Sequence, residues 1–140
     1  MSTEDRIRSE RAASAPSRAR LRAGRGLSVL ALLFLALDSG AKLVGAEAAV
    51  RGSVQLGFPP SATAPIGILL AICTLLHAVP RTAVLGALLL TGYLGGAVAI
   101  HVRAGSGAFP ILFTVAFGAL VWLGLLLRRP ALAFALRERP

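Results

Sequence analysis

Asp38 and Lys42 stand four residues apart inside an otherwise apolar run, and His101 and Arg103 close another such run, with Tyr93 midway along it. On a helix the i, i+4 spacing sets Asp38 and Lys42 on one face, within reach of each other. A carboxylate and an ammonium so placed can pair, hold a polar ligand or handle a proton. Histidine changes charge near neutral pH and can exchange a proton with a quinol or another head group. A phenol in apolar surroundings needs a hydrogen-bond partner, so Tyr93 is expected to face a neighbouring helix. Asp38, Lys42, Tyr93, His101 and Arg103 therefore define a candidate polar cup at one end of a helical bundle, suited to a quinone head group. The competing reading is a structural ion pair beside ordinary interfacial polarity. His77 and Arg81 belong to the opposite end and do not join the cup.

Other chemistries find no support. The two histidines, His77 and His101, are not paired at ligand spacing within one helix, so neither haem nor a metal ion is expected. There is a single cysteine, Cys73, which rules out an intramolecular disulfide and reads as a small core residue. No Ser–His–Asp grouping and no phosphate-binding glycine loop is present, and no catalytic residue is assigned. No cofactor is evident beyond a quinone that the cup could accept.

The elements that must position these residues follow from where the charges are not. Four apolar stretches, 27–44, 64–79, 82–102 and 109–127, hold 18, 16, 21 and 19 residues. Crossing about 30 Å of hydrocarbon takes roughly 20 helical residues. The second stretch is short but borderline, and Pro65 suits a first helical turn. Hydrophobic residues make up 56% of the chain and charged residues 15%. A soluble domain of this size could not bury that much apolar surface. Four strands cannot close a barrel, and open strands would leave backbone groups unpaired in lipid. The expected fold is all-α: an integral membrane four-helix bundle over residues 27–133, with consecutive spans as antiparallel neighbours.

The net charge of +9 is distributed as membrane flanks rather than as a nucleic-acid surface. Seven arginines precede the first stretch and four follow the last, so with Arg81 one face carries twelve arginines; the other carries Arg51 and Arg103. Basic flanks favour the cytoplasm, which predicts both termini inside and a multi-pass protein of the inner (plasma) membrane. Residues 1–26 read as a disordered basic tail and 134–140 as a short cytoplasmic tail. A cleaved signal peptide ending near Ala46-Glu47-Ala48 is the rival reading, but the apolar run is longer than the usual core of about 7–15 residues. Loop 45–63 is either a short interfacial helix through Ala48, Val50 and Val54, ending at Gly57, or a plain connector. Pro59-Pro60 stops any helix there.

The third stretch carries Gly86, Gly92, Gly95 and Gly96 as helix-packing candidates. Gly92 and Gly96 form a small-xxx-small pair, which predicts close approach within the bundle or, failing that, in a homo-oligomer. Trp122 reads as an anchor toward the inner interface.

The run from Pro80-Arg81-Thr82 to Gly92-Tyr93-Leu94-Gly95-Gly96-Ala97, followed by His101 and Arg103, resembles the DoxX-like family of small four-helix membrane proteins. So do Ser39-Gly40-Ala41-Lys42-Leu43, Leu56-Gly57-Phe58-Pro59, Trp122 and Leu127-Arg128-Arg129-Pro130. The resemblance covers roughly residues 27–133. It implies a membrane protein without intrinsic catalysis, acting as an accessory or partner of a membrane redox system. The alternative it allows is a quinone-binding subunit of an oxidoreductase. A small oligomeric transporter is a further reading, though the chain has no evident inverted repeat. Many sequences of this kind have a glutamate in the second helix at about the position of Leu70, where this chain has no acid.

Overall fold

The computed structural model describes residues 17–129 and 132, and the regular elements among them are all helical. In chain order they are α1 (Arg18–Leu43), α2 (Glu47–Gln55), a 3-10 turn (Pro60–Ala62), α3 (Thr63–Ala78), α4 (Ala83–Arg103) and α5 (Ala108–Arg128). Four helical runs are long and apolar enough to span a bilayer: α1, the turn together with α3, α4 and α5. Adding the turn extends the second span to 19 residues and removes the shortfall of the apolar stretch alone.

α1 begins at Arg18, not at Leu27, and this corrects the boundary of the basic tail. Its first turn is capped by Ser17, whose hydroxyl accepts a hydrogen bond from the Arg20 N–H at 3.2 Å. Arginine is a good helix former, so the Arg18 to Arg25 segment propagates the helix it was expected to precede. Packing then fixes it. Gly24 is buried against α5, where a Cβ would lie 2.7 Å from Leu127 Cβ. Residues 1–16 of the expected tail, and all of 134–140, lie outside the described residues.

The segment between α1 and α3 is the short helix of the two readings. Gly45 and Gly57, at φ +65° and +88°, bracket α2. Each closes a preceding helix by the paired bonds of a Schellman cap. Ala46 N–H reaches Ala41 O at 2.9 Å, and Phe58 N–H reaches Ser53 O at 3.0 Å.

The spans form a ring. α1 packs on α3 and α5, α4 packs on the same two helices, and α1 and α4 are diagonal. The solid part of the core lies toward the Pro80 turn, where Ala31, Ala87, Leu90, Val121 and Leu125 are buried. Small residues let the backbones close in there. A Cβ on Gly86 would strike the backbone of Leu76 and His77, and one on Gly124 would meet Ser28 Oγ at 2.5 Å. Gly92, Gly95 and Gly96 do not act this way: nothing lies within 4 Å of a Cβ built on any of them. The expected close approach at the Gly92 and Gly96 pair is therefore absent among the described residues. The other half of the bundle, under α2, is hollow. Large apolar side chains on the outside, such as Leu37 at 73% and Leu75 at 66% exposure, form the surface that lipid must cover.

Candidate ligand-binding site beneath the short helix

In the hollow half, residues of the four spans and of α2 line an open-sided cavity of about 680 Å³. Most of its wall is apolar. Phe34 of α1 and Phe113 and Phe117 of α5 form one side, with ring centroids 4.2 Å apart for Phe34–Phe117 and 4.9 Å for Phe113–Phe117. Gly92 and Gly96 face this space, which explains why no atom fills the volume beside them.

The polar part of the wall is Asp38 and Lys42 from α1 and Tyr93 and His101 from α4. The helical register of α1 aligns the first pair as the spacing predicts. Lys42 Nζ donates to Asp38 Oδ1, closing the ion pair. The lysine turns back toward the carboxylate rather than reaching outward; its side chain is 16% exposed against 36% for Asp38. α3 comes close beside it: Gly67 packs against α1 here, and a Cβ at that position would lie 2.7 Å from Lys42 Cβ. Tyr93 is half-buried, and its hydroxyl makes no hydrogen bond among the described residues. His101 is half-buried too, with Nδ1 enclosed and unpartnered among those residues. Two other hydroxyls of the wall are committed elsewhere: Ser53 donates to Ala49 O at 2.9 Å and Thr114 to Pro110 O at 2.8 Å.

Arg103 is not in the cavity wall. Its Nη2 donates to Leu56 O at 3.2 Å and ties the end of α4 to the cap of α2. Of the five residues placed in the cup from sequence, four come together and Arg103 instead fastens the roof. His77 is far from this group and fully buried rather than interfacial. Its Nδ1 lies 3.0 Å from Ala83 O, and because a carbonyl only accepts, Nδ1 carries the hydrogen. Trp122 is more than an anchor: Nε1 donates to Thr91 Oγ1 at 2.8 Å, joining α5 to α4. Leu70, at the position where the resemblance implies a glutamate, is fully buried in the solid core.

Cys73 is the small core residue expected, at 2% exposure, and it also lines the cavity; sequence reasoning missed that second position and the aromatic side of the cavity. The phenylalanines carried a usable signal. Phe109, Phe113 and Phe117 recur at i, i+4, i+8, which puts three rings on one helix face. Cys73 carried none.

Among the described residues no group of three His, Cys, Asp or Glu side chains could hold a metal ion. What the arrangement offers is a mainly apolar chamber with a few hydrogen-bonding groups in its wall. Its charges cancel within the wall, since Asp38 and Lys42 neutralise each other. No curated protein and no solved structure gives a significant match to this chain. A family model described as the DoxX-like family matches residues 26–124, which take in most of the first and last apolar helices, all of the two between them and the cavity residues, and the chain belongs to that family.

Proposed function

We propose that this protein binds a quinone-class amphiphile within the bilayer and serves a membrane redox system as an accessory subunit, without chemistry of its own. The observation that carries the reading is the 680 Å³ cavity whose largely apolar wall includes Asp38, Lys42, Tyr93 and His101. Ligand chambers are typically about 300–1,000 Å³ and mostly apolar, with few polar groups that fix orientation. The internal neutrality selects the head. An anionic head would need a spare cation in the wall, but Lys42 is paired with Asp38 there and Arg103 lies outside it. A neutral head with carbonyl or hydroxyl oxygens fits: Tyr93 and His101 can donate to a carbonyl, and Asp38 can accept from a hydroxyl. An apolar tail has an exit, because the chamber is open-sided and Phe34, Leu88 and Phe113 of its wall are themselves exposed.

The arginine asymmetry of twelve to two supports cytoplasmic termini in the inner membrane, with α2 on the outer face. Binding of tritiated decylubiquinone to the protein in nanodiscs tests the reading. Saturable binding is expected at one site per chain. Tyr93→Phe and His101→Ala should each weaken it about fivefold, the value of one hydrogen bond of about 1 kcal/mol. Uptake that never saturates, or that both variants leave unchanged, overturns the reading.

A further inference from the structure

A second cavity, of about 550 Å³, lies between α2 and the α4–α5 connection. Its outer wall includes Ala48, Gly52 and Gln55 of α2 and Ser106 of the connection, so it faces the extramembrane side of the bundle. Asp38, Lys42, Ser53, Leu56 and His101 line this vestibule and the bilayer chamber alike. The three ionisable side chains of the shared wall, Asp38, Lys42 and His101, therefore border both spaces. In the opposite direction the way is closed. Toward the Pro80 turn the bundle axis is filled by Ala31, Leu70, Ala87, Leu90, Val121 and Leu125, none more than 1% exposed.

We propose that the head-group site is open to water on the α2 face alone, through this vestibule, so that ligand binding is coupled to the acidity of that aqueous phase and not of the other. The inference rests on the ligand reading above and adds a sidedness to it. His101 is the group best placed to make the link. It belongs to both walls, its Nδ1 is enclosed without a partner among the described residues, and an imidazole changes charge in the physiological range. The other ionisable groups around it are few. α1 supplies Asp38 and Lys42, already paired; α4 supplies Tyr93 in the chamber wall and Arg103, bound to Leu56 O; α3 supplies the Cys73 thiol. α2 supplies Glu47 and Arg51, which pair with each other at 2.9 Å on its exposed surface, and the chamber and vestibule residues of α5 include no charge.

Two measurements test this. In a Cys73→Ala background, a membrane-impermeant methanethiosulfonate is applied to either face of membrane vesicles carrying His101→Cys. Gln55→Cys marks the α2 face and Arg81→Cys the opposite one. The His101→Cys thiol should react only from the face that labels Gln55→Cys, and excess decylubiquinone should slow the reaction. Labelling without protection would uphold the port and count against the ligand alone. No labelling from the α2 face, or equal labelling from the Arg81→Cys face, overturns the port. In proteoliposomes, decylubiquinone affinity should change with the pH of the α2 side between 5 and 8, approaching about one decade per pH unit for one coupled proton. It should ignore the pH of the other side, and His101→Gln should flatten the response. An affinity that follows the pH of the Pro80 side, or that follows neither, overturns the coupling.

Discussion

The Asp38–Lys42 pair is the residue-scale feature that the sequence displays most openly, because charge inside an apolar run is conspicuous and i, i+4 geometry is fixed by the helix itself. Its energetic role follows from partial burial. Removing Lys42 leaves a carboxylate facing an apolar chamber, whereas removing both charges leaves only ordinary packing. Lys42→Ala should therefore cost roughly 1–3 kcal/mol, below the range for a fully buried pair because Asp38 is 36% exposed, and Asp38→Asn with Lys42→Met should cost less than Lys42→Ala alone. Unfolding in mixed micelles by added sodium dodecyl sulfate, run as a double-mutant cycle, measures this; additive costs would show that the pair is not coupled. The Thr91–Trp122 bond was not legible in the same way. It joins residues 31 apart in the chain, and nothing local in either helix announces it. Hydrogen bonds between membrane helices average about 0.6 kcal/mol. Thr91→Val and Trp122→Phe should each lose roughly that amount, and the double variant no more than one of them. Since the chain has a single tryptophan, the emission of Trp122 should also shift in Thr91→Val, which reports the lost bond directly.

At the scale of elements, hydropathy located the spans and their order, but neither the start of α1 nor the roles of the glycines. A run of arginines satisfies the composition of a disordered tail as well as it satisfies helix propensity, and only the contact between Gly24 and α5 decides between them. The glycines of α4 look alike in sequence and differ in what faces them. Gly86 meets the backbone of α3, which cannot yield, while Gly92 and Gly96 border the chamber. Their alanine variants should separate accordingly. Gly86→Ala should force α3 and α4 apart and cost about 1–3 kcal/mol, as overpacking of a close contact does. Gly92→Ala and Gly96→Ala should leave stability within about 0.5 kcal/mol, or raise it through better helix propensity, and should weaken decylubiquinone binding by filling the chamber. Detergent-unfolding midpoints and binding isotherms for the three variants check the contrast. If Gly96→Ala destabilises as much as Gly86→Ala, the face takes part in close packing, and the place to look is a second copy of the chain.

For the whole molecule, what distinguishes the fold is an axial asymmetry: a solid half toward the Pro80 turn and a hollow half under α2. Composition predicts neither, because the difference lies in which side chains meet across the bundle axis. Alanines, glycines and leucines interlock below; above, phenylalanines line one side of the space, and Gly92 and Gly96 put no side chain into it. Amide exchange reads this directly. In a bilayer, backbone hydrogen bonds exchange where water reaches them or where the helix opens, and both depend on local packing. In nanodiscs, amides of α4 from Gly92 to Arg103 should exchange faster than those from Ala83 to Leu90, although all lie in one continuous helix. The same division should appear in α5 in reverse order, since it runs the other way: Phe113 to Phe117 faster, Val121 to Leu125 slower. Decylubiquinone should slow only the faster group, because it displaces water from the chamber without touching the solid half. Gly57→Ala supplies the control. At φ +88° an alanine strains the cap that holds α2 in place, at a cost of about 1–2 kcal/mol, and loosening the roof should speed exchange around the chamber while leaving Val121 to Leu125 unchanged. Uniform protection along α4 and α5 would mean that the hollow closes in lipid. The argument for a ligand would then fail with it, since neutrality of the wall matters only if there is a space for a head group to enter.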